Sequence, residues 1–371
     1  MKKKILFILH LPPPVHGASL MGEYVHTNKK INETFECKYL NLSASKSIAT
    51  IGKASSQKVI FFIQLVFSTI KTVVSNRYAL CYVTLTSKGP AFYKDFLIIT
   101  ILKVFRKKIL LHFHNRGVAQ GAAENKINHF LYKFALGGRK TNIILLSPLL
   151  YPDVSRYVKA DRVFYCANGI PLLYNTMPPQ KIPNKRANIL FLSNMIVSKG
   201  IFTLLDACVE LKKKNIDFEC HFVGDWLDIT ENSFQQKVNE LELADIVFAH
   251  GKKYGSDKNK FYEKADIFVF PTQYDLETFG LVLLEAMQFE LPVIATGIGG
   301  IPDIILNNET GYIIGKNRPD ELADKLTQLI NDPLLRQRMG KAGKKRFDEK
   351  FTLSTFENRM IDILNEFATA D

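Results

Sequence analysis

Five cysteines, Cys37, Cys81, Cys166, Cys208 and Cys220, are scattered along 371 residues and never form a C-x-x-C pair. An odd, unpaired set excludes a disulfide scaffold and a zinc centre, and leaves thiols that behave as small buried hydrophobes. No strand–GxGxxG–helix pattern occurs, so a nicotinamide-dependent dehydrogenase is not expected. Neither an aromatic–basic RNA motif nor a helix-turn-helix signal accompanies the many lysines. Repeats and low-complexity tracts are missing too. Apolar runs are short: 59–74 is interrupted by Gln64 and Lys71, and 91–105 ends at Arg106, Lys107 and Lys108. Both fall below the ~20 clean apolar residues of a membrane span and read as helices packed on a sheet, with one apolar face on a bilayer as the competing reading. The opening MKKKILFILH has an apolar part of only five residues before His10, which predicts a strand and not a leader peptide. Without export, the Asn-x-Ser/Thr triplets at Asn32, Asn41 and Asn308 are chance matches.

Acidic residues are scarce in one half only. Residues 1–180 hold 25 Lys and Arg against 7 Asp and Glu, a net of +18, whereas 181–371 hold 24 against 29, a net of -5. A basic half beside a slightly acidic one points to an anionic partner, either nucleic acid or a membrane surface. The length exceeds what one core comfortably fills and predicts two domains.

Strands are expected at 4–9, 79–85, 109–113, 142–147 and 163–166, and again at 188–192, 219–223, 246–248, 267–270 and 292–295. After the first strand, LPPPVHGAS cannot continue as helix, but Gly17, Ala18 and Ser19 can open one. His112 and His114 share a parity at the end of their strand, where ligands of parallel sheets collect, yet no third metal ligand accompanies them. Residues 167–171 read as a tight turn, and the polar 175–185 as a linker. The loop SNMIVSKG places Asn194 and Lys199 before a helix running to Leu211; a lysine there opposes the helix dipole unless it meets an anion. Gly224 and Gly251 end the next two strands. Amphipathic helices are expected at 319–331 and 354–367.

Residues 265–300 hold the densest chemistry: ADIFVFPTQYDLETFGLVLLEAMQFELPVIATGIGG. This is a strand, a loop, a buried helix, a second strand and a glycine turn, the unit of a parallel α/β sheet. Glu277 lies in the loop, and Glu285 follows eight residues on, roughly two turns along the helix. Unpaired amides of Phe279, Gly280 and Leu281 at the helix start attract phosphate. A charge such as Glu285 in an apolar helix requires hydrogen-bond donors, which ribose hydroxyls supply. Two acids serving the helix dipole on a solvated face are the structural alternative.

The E-x7-E pair resembles the donor segment of retaining GT-B glycosyltransferases of the GT4 type, together with its frame of Asp266, Pro271, Phe279-Gly280-Leu281, Glu285-Ala286-Met287, Pro292-Val293 and Gly299-Gly300. The resemblance implies an α/β GT-B chain: a Rossmann-like acceptor domain (1–175) facing a Rossmann-like donor domain (186–353) across a cleft, and a C-terminal helix (354–371) crossing back to the first. It assigns Glu277, His114 and Lys199 to catalysis. Gly17, Ala18, Asn194, Lys199, Gly224, Gly251, Thr278, Phe279, Gly280, Leu281 and Glu285 are assigned to the donor, with no metal and no cofactor. Two positions depart from the pattern. Asn194 stands where an arginine is usual, and Glu290 where glycine is usual.

The expected activity is transfer of a sugar from a nucleotide-diphosphate sugar, UDP ahead of GDP, to an acceptor hydroxyl in surface-polysaccharide assembly. The expected partners are a lipid-linked saccharide and an anionic membrane surface, at the inner face of the cell membrane, and not nucleic acid. A GT-B sugar-nucleotide epimerase and a non-catalytic nucleotide-binding protein are the alternatives.

Overall fold

A computed structural model describes residues 2–43, 56–174 and 186–369; the expected linker 175–185 lies outside the described residues. The chain divides into two compact units, Met1–Asn168 with Ser354–Asp371, and Gly169–Leu353.

The first unit begins with β1 (Lys4–Leu9), α1 (Gly17–Thr27), α2 (Lys29–Thr34) and β2 (Glu36–Asn41). It continues through α3 (Ser56–Ser75), β3 (Leu80–Leu85), α4 (Pro90–Val104) and β4 (Ile109–Phe113). Helices α5 (Val118–Glu124) and α6 (Lys126–Leu136) then lead to β5 (Thr141–Leu145) and β6 (Val163–Tyr165). The six strands form one parallel sheet in the order β2-β1-β3-β4-β5-β6. Near-continuous apolar strands such as KILFIL and LCYVTL suit it, because both faces of a parallel sheet are covered. Two edge strands, β2 and the later β12 (Gly311–Ile314), were not among the expected ones: ECKYLN is half-exposed and carries no continuous apolar signal, and GYII is only four residues and opens on glycine.

In the second unit, β7 (Ala187–Leu192), α7 (Ile201–Lys213), β8 (Phe218–Val223), α8 (Glu231–Glu240) and β9 (Val247–Ala249) form one run. They are followed by α9 (Gly255–Lys264), β10 (Ile267–Phe270), α10 (Leu281–Gln288), β11 (Val293–Thr296), α11 (Ile301–Ile304) and β12 (Gly311–Ile314). Two helices, α12 (Pro319–Asn331) and α13 (Pro333–Lys350), complete it. Its parallel sheet has the order β12-β11-β10-β7-β8-β9. The last helix, α14 (Leu353–Thr369), buries Phe356, Met360, Ile363, Leu364 and Phe367. From Ser354 on it belongs to the first unit, where Phe367 meets Phe164 and the Arg359 guanidinium donates to the Tyr165 carbonyl at 3.1 Å.

One sequence reading changes here. Helix α3 is 20 residues, long and apolar enough to cross a membrane by length and composition, so its reading as too short for a span is corrected. In α13 Gly340 is required by packing: a Cβ there would lie 1.9 Å from the Glu290 carbonyl oxygen. Glu290 itself has φ +54°. That left-handed conformation explains why glycine suits the position, since an L side chain there costs ~1–2 kcal/mol. Glycine also loses more backbone entropy on folding. Glu290→Gly is therefore expected to stabilise the protein by about 0.5–1 kcal/mol, read as a rise in thermal midpoint of about 2 °C. An unchanged or lower midpoint would show that the glutamate side chain contributes more than the strain costs.

Candidate functional site

Strand order decides which loops meet. In the second sheet the chain moves outward from β7 through β8 to β9, then returns to place β10 on the other side of β7. The crevice beyond the carboxyl ends of β7 and β10 is thus the topological switch point, the place where open α/β sheets collect ligands. The loop after β7 carries Asn194 and Lys199, and the loop after β10 carries Glu277 and Thr278.

Backbone contacts stitch these two loops together. The Gln273 amide donates to the Ser198 carbonyl at 2.7 Å, and Gln273 Nε2 donates to Thr203 Oγ1 at 2.6 Å. Gly200, at φ +88°, lies so close to Pro271 that a Cβ would sit 2.0 Å from its carbonyl oxygen. Lys199 Nζ is thereby delivered to Glu277 Oε2 at 2.6 Å, with side chains only 17% and 12% exposed. The ammonium also lies 4.8 Å from the Tyr274 ring centroid and 5.5 Å from that of Phe270. Glu277 is therefore the anion that offsets this lysine at the start of α7.

Glu277 is fixed from below by the glycine turn. Gly299, at φ +60°, would place a Cβ 2.3 Å from the Glu277 carbonyl oxygen, and the Gly300 amide donates to the Thr278 carbonyl at 2.8 Å. Gly280, at φ +85°, precedes Leu281, the first residue of α10. The helix start leaves the following amides without intrahelical acceptors. Phe279 is buried and packs edge-on to Phe351.

Glu285 is the fifth of the eight residues of α10, little more than one turn in and not the two turns expected, and both its oxygens are engaged. Lys258 Nζ donates to Oε1 at 2.6 Å, and the Tyr262 hydroxyl donates to Oε2 at 2.7 Å. Burial, and after it the Glu285 charge, hold the Tyr262 phenol well above its ordinary pKa, so it remains a donor. Sequence reasoning asked for donors at Glu285 and missed these two. Their spacing of four puts them on one face of α9, but only the fold shows that this face meets α10.

Gly224 and Gly251 mark the ends of β8 and β9. A Cβ on Gly224 would lie 1.7 Å from the Ser193 carbonyl oxygen, and the Gly224 amide donates to the Gly251 carbonyl at 3.0 Å. Asn194 is half-buried in the loop beside them. Next to Gly251, His250 Nε2 lies 3.0 Å from His221 Nδ1, and burial followed by His221 pushes the His250 imidazole down to about 4.

In the first unit His114 follows β4, and its ring centroid lies 4.1 Å from that of His112, with the planes tilted by 38°. Burial, then His10 and His16, push His114 down to about 3, which keeps its imidazole neutral at pH 7. His112 is fully buried with Nδ1 2.5 Å from the Tyr82 hydroxyl. Gly17 and Ala18 open α1, whose N-cap His16 accepts from the Ser19 amide at 3.3 Å. Among the described residues, no group of three or more His, Cys, Asp or Glu side chains is arranged to hold a metal ion.

Residues 175–346 match the family described as Glycosyl transferases group 1. The likeness spans just under half of the chain. The chain is 30% identical over 240 residues to the capsular polysaccharide biosynthesis glycosyltransferase CapM of Staphylococcus aureus, an alignment covering 61% of this chain and 62% of CapM. The chain thus spans about three fifths of that relative's length. Its fold resembles sucrose-phosphate synthase from Thermosynechococcus elongatus, with a TM-score of 0.76, 19% identity and full coverage of both chains. It also resembles Anabaena Alr3699/HepE in complex with UDP, with a TM-score of 0.74, 16% identity, and coverage of 98% of this chain and 100% of that one. At such identities the likeness establishes the GT-B fold. The second-unit candidate residues from Asn194 to Glu285 lie within the matched segment, whereas His114, Gly17 and Ala18 lie outside it.

Proposed function

We propose that the chain is a retaining, GT4-type glycosyltransferase that moves a sugar from a nucleoside-diphosphate sugar to a hydroxyl of a saccharide acceptor. The observation that carries this reading is the Lys199–Glu277 pair at the switch point of the second sheet, eight residues before Glu285 in a segment matching the group 1 family. The bond from the sugar C1 to the diphosphate oxygen breaks, and a bond from C1 to the acceptor oxygen forms on the same face. The acceptor proton passes to the departing diphosphate. Charge on that leaving group is met by Lys199 and the amides at the start of α10, so the scheme assigns the step no metal. Glu277 is assigned to the donor sugar, Glu285 to the ribose and His114 to the vicinity of the reacting carbon. UDP is favoured over GDP because a full-length structural neighbour was solved with UDP. Surface polysaccharide is the favoured product because CapM, one of the similar proteins, is named for capsular polysaccharide biosynthesis. A lipid-linked acceptor and attachment to the inner face of the membrane are part of this proposal, supported by the basic first half, whose charge would hold the chain reversibly on anionic lipid.

Thermal unfolding of the purified chain with UDP, GDP and ADP and their sugars tests the reading, followed by mass analysis for cleavage of the sugar nucleotide. Stabilisation by one nucleotide and slow release of its sugar are expected. Failure of every nucleotide to stabilise the chain, with no cleavage, would refute it. Glu285→Gln is expected to weaken nucleoside diphosphate binding by about tenfold, because a charged acceptor is replaced by a neutral one, while binding of inorganic diphosphate changes little. Equal losses for both would remove the ribose assignment.

A further inference from the structure

Three neighbouring helices of the first unit turn large apolar side chains to solvent. On α3 the exposed positions Ile60, Ile63, Phe67 and Val74 recur at spacings of three, four and seven, one stripe of a helix. The opposite face of α3 buries Leu65, Thr69 and Val73. Helix α4 packs against both α3 and α6, and it exposes Val104 to 71%; α6 exposes Phe130 to 67%. Scattered single apolar residues on a surface need no explanation, but stripes on adjacent helices mark an interaction surface.

The charge around these helices selects the occupant. Residues 56–140 contain fourteen Lys and Arg against two acids, Asp95 and Glu124. Asp95 is buried and 2.8 Å from Lys94, and Glu124 is paired with Lys88 at 2.5 Å. A second copy of the same basic surface would meet it with like charge, whereas an anionic lipid surface would meet it with opposite charge. Helix α3 has the length of a span, but its Leu65–Val73 face is committed to packing on α4 and β2, and Lys71 interrupts the apolar run. A helix with one face in protein and an apolar stripe outside suits the plane of the interface and not a crossing.

We propose that the outer faces of α3, α4 and α6 seat in the headgroup–acyl boundary of an anionic bilayer, so that apolar insertion adds to charge in holding the chain there. This rests on the membrane reading of the preceding section and adds to it a named surface and a salt-resistant component.

Cosedimentation of the full chain with vesicles of phosphatidylglycerol and phosphatidylcholine, and of phosphatidylcholine alone, at about 0.1 M and about 1 M salt tests it. Screening shortens from ~10 to ~3 Å between those salts, which removes attraction by charge and leaves insertion. The chain is expected to bind anionic vesicles at low salt and to retain a substantial bound fraction at high salt. The double variant Ile63→Glu with Phe67→Glu, placed on the exposed stripe, is expected to lose that fraction by about tenfold or more while its thermal midpoint stays near that of the parent. Complete release of the parent at high salt, or undiminished binding of the variant, would overturn the insertion surface and leave attachment by charge standing. No binding to anionic vesicles at low salt would overturn both. Loss of vesicle binding together with a concentration-dependent dimer that the variant abolishes would assign the surface to a second copy of the chain instead.

Discussion

Lys199→Ala is expected to lower affinity for a nucleoside diphosphate by about ten- to a hundredfold, the worth of a charge-assisted contact of about 1.5–3 kcal/mol. In the chain described here Lys199 Nζ is held at 2.6 Å by Glu277, and aromatic rings of Phe270 and Tyr274 lie beside it. An incoming diphosphate therefore competes with Glu277 for the same ammonium. This makes Glu277→Gln the informative companion: it removes the competing anion while leaving the lysine. Turnover is expected to fall, but nucleoside diphosphate should bind as tightly as to the parent, or more tightly. Titration calorimetry with UDP on the two variants separates these effects. Parent-like affinity in Lys199→Ala would leave the lysine as nothing more than a partner of Glu277. Asn194→Arg extends the test, since an added cation in that loop should tighten diphosphate binding if the loop faces the phosphates.

The second large effect is expected at Gly299→Ala, a position that touches no candidate ligand-binding side chain. Its φ of +60° disfavours any L side chain by ~1–2 kcal/mol, and the new methyl would start 2.3 Å from the Glu277 carbonyl oxygen and 3.1 Å from that of Thr278. Backbone cannot yield as a flexible side chain does, so the loop after β10 must move. Together strain and overpacking should cost about 2–4 kcal/mol of stability. Because the displaced segment carries Glu277, turnover should drop by about a hundredfold even in the folded fraction, as small misplacements of positioning groups do. Circular dichroism on heating and a sugar-nucleotide assay at a temperature where the variant is folded read the two parts. Parent-like stability and turnover together would mean that the glycine turn does not position Glu277.

Most of the fold was legible from local pattern. Short apolar runs, with an alternating stretch at 79–85, located ten of the twelve strands among the described residues, since most strands of a parallel sheet are covered on both faces. Both missed strands lie at sheet edges: β2 because that position leaves ECKYLN half-exposed and without such a run, and β12 because GYII is only four residues and opens on glycine. Helix α3 was misjudged in length because Gln64 and Lys71 break its apolar pattern without breaking the helix. Both residues are acceptable helix formers, and propensity is blind to what a side chain faces.

At the candidate site the sequence by itself determined the residue types and the E-x7-E spacing, because both glutamates sit on one loop–helix unit whose register is local. It also marked Glu290 as a departure. Only the tertiary structure decided that Lys199 meets Glu277, since β7 and β10 are neighbours through a reversal of strand order that no local spacing encodes. The same holds for Lys258 and Tyr262, whose approach to Glu285 depends on how α9 and α10 lie on their sheet. The left-handed φ of Glu290 and the tight approaches at Gly200, Gly224, Gly299 and Gly340 belong to this class too. A glycine announces freedom in sequence; whether that freedom is spent on a turn or on another backbone 2 Å from its missing Cβ is settled by long-range packing.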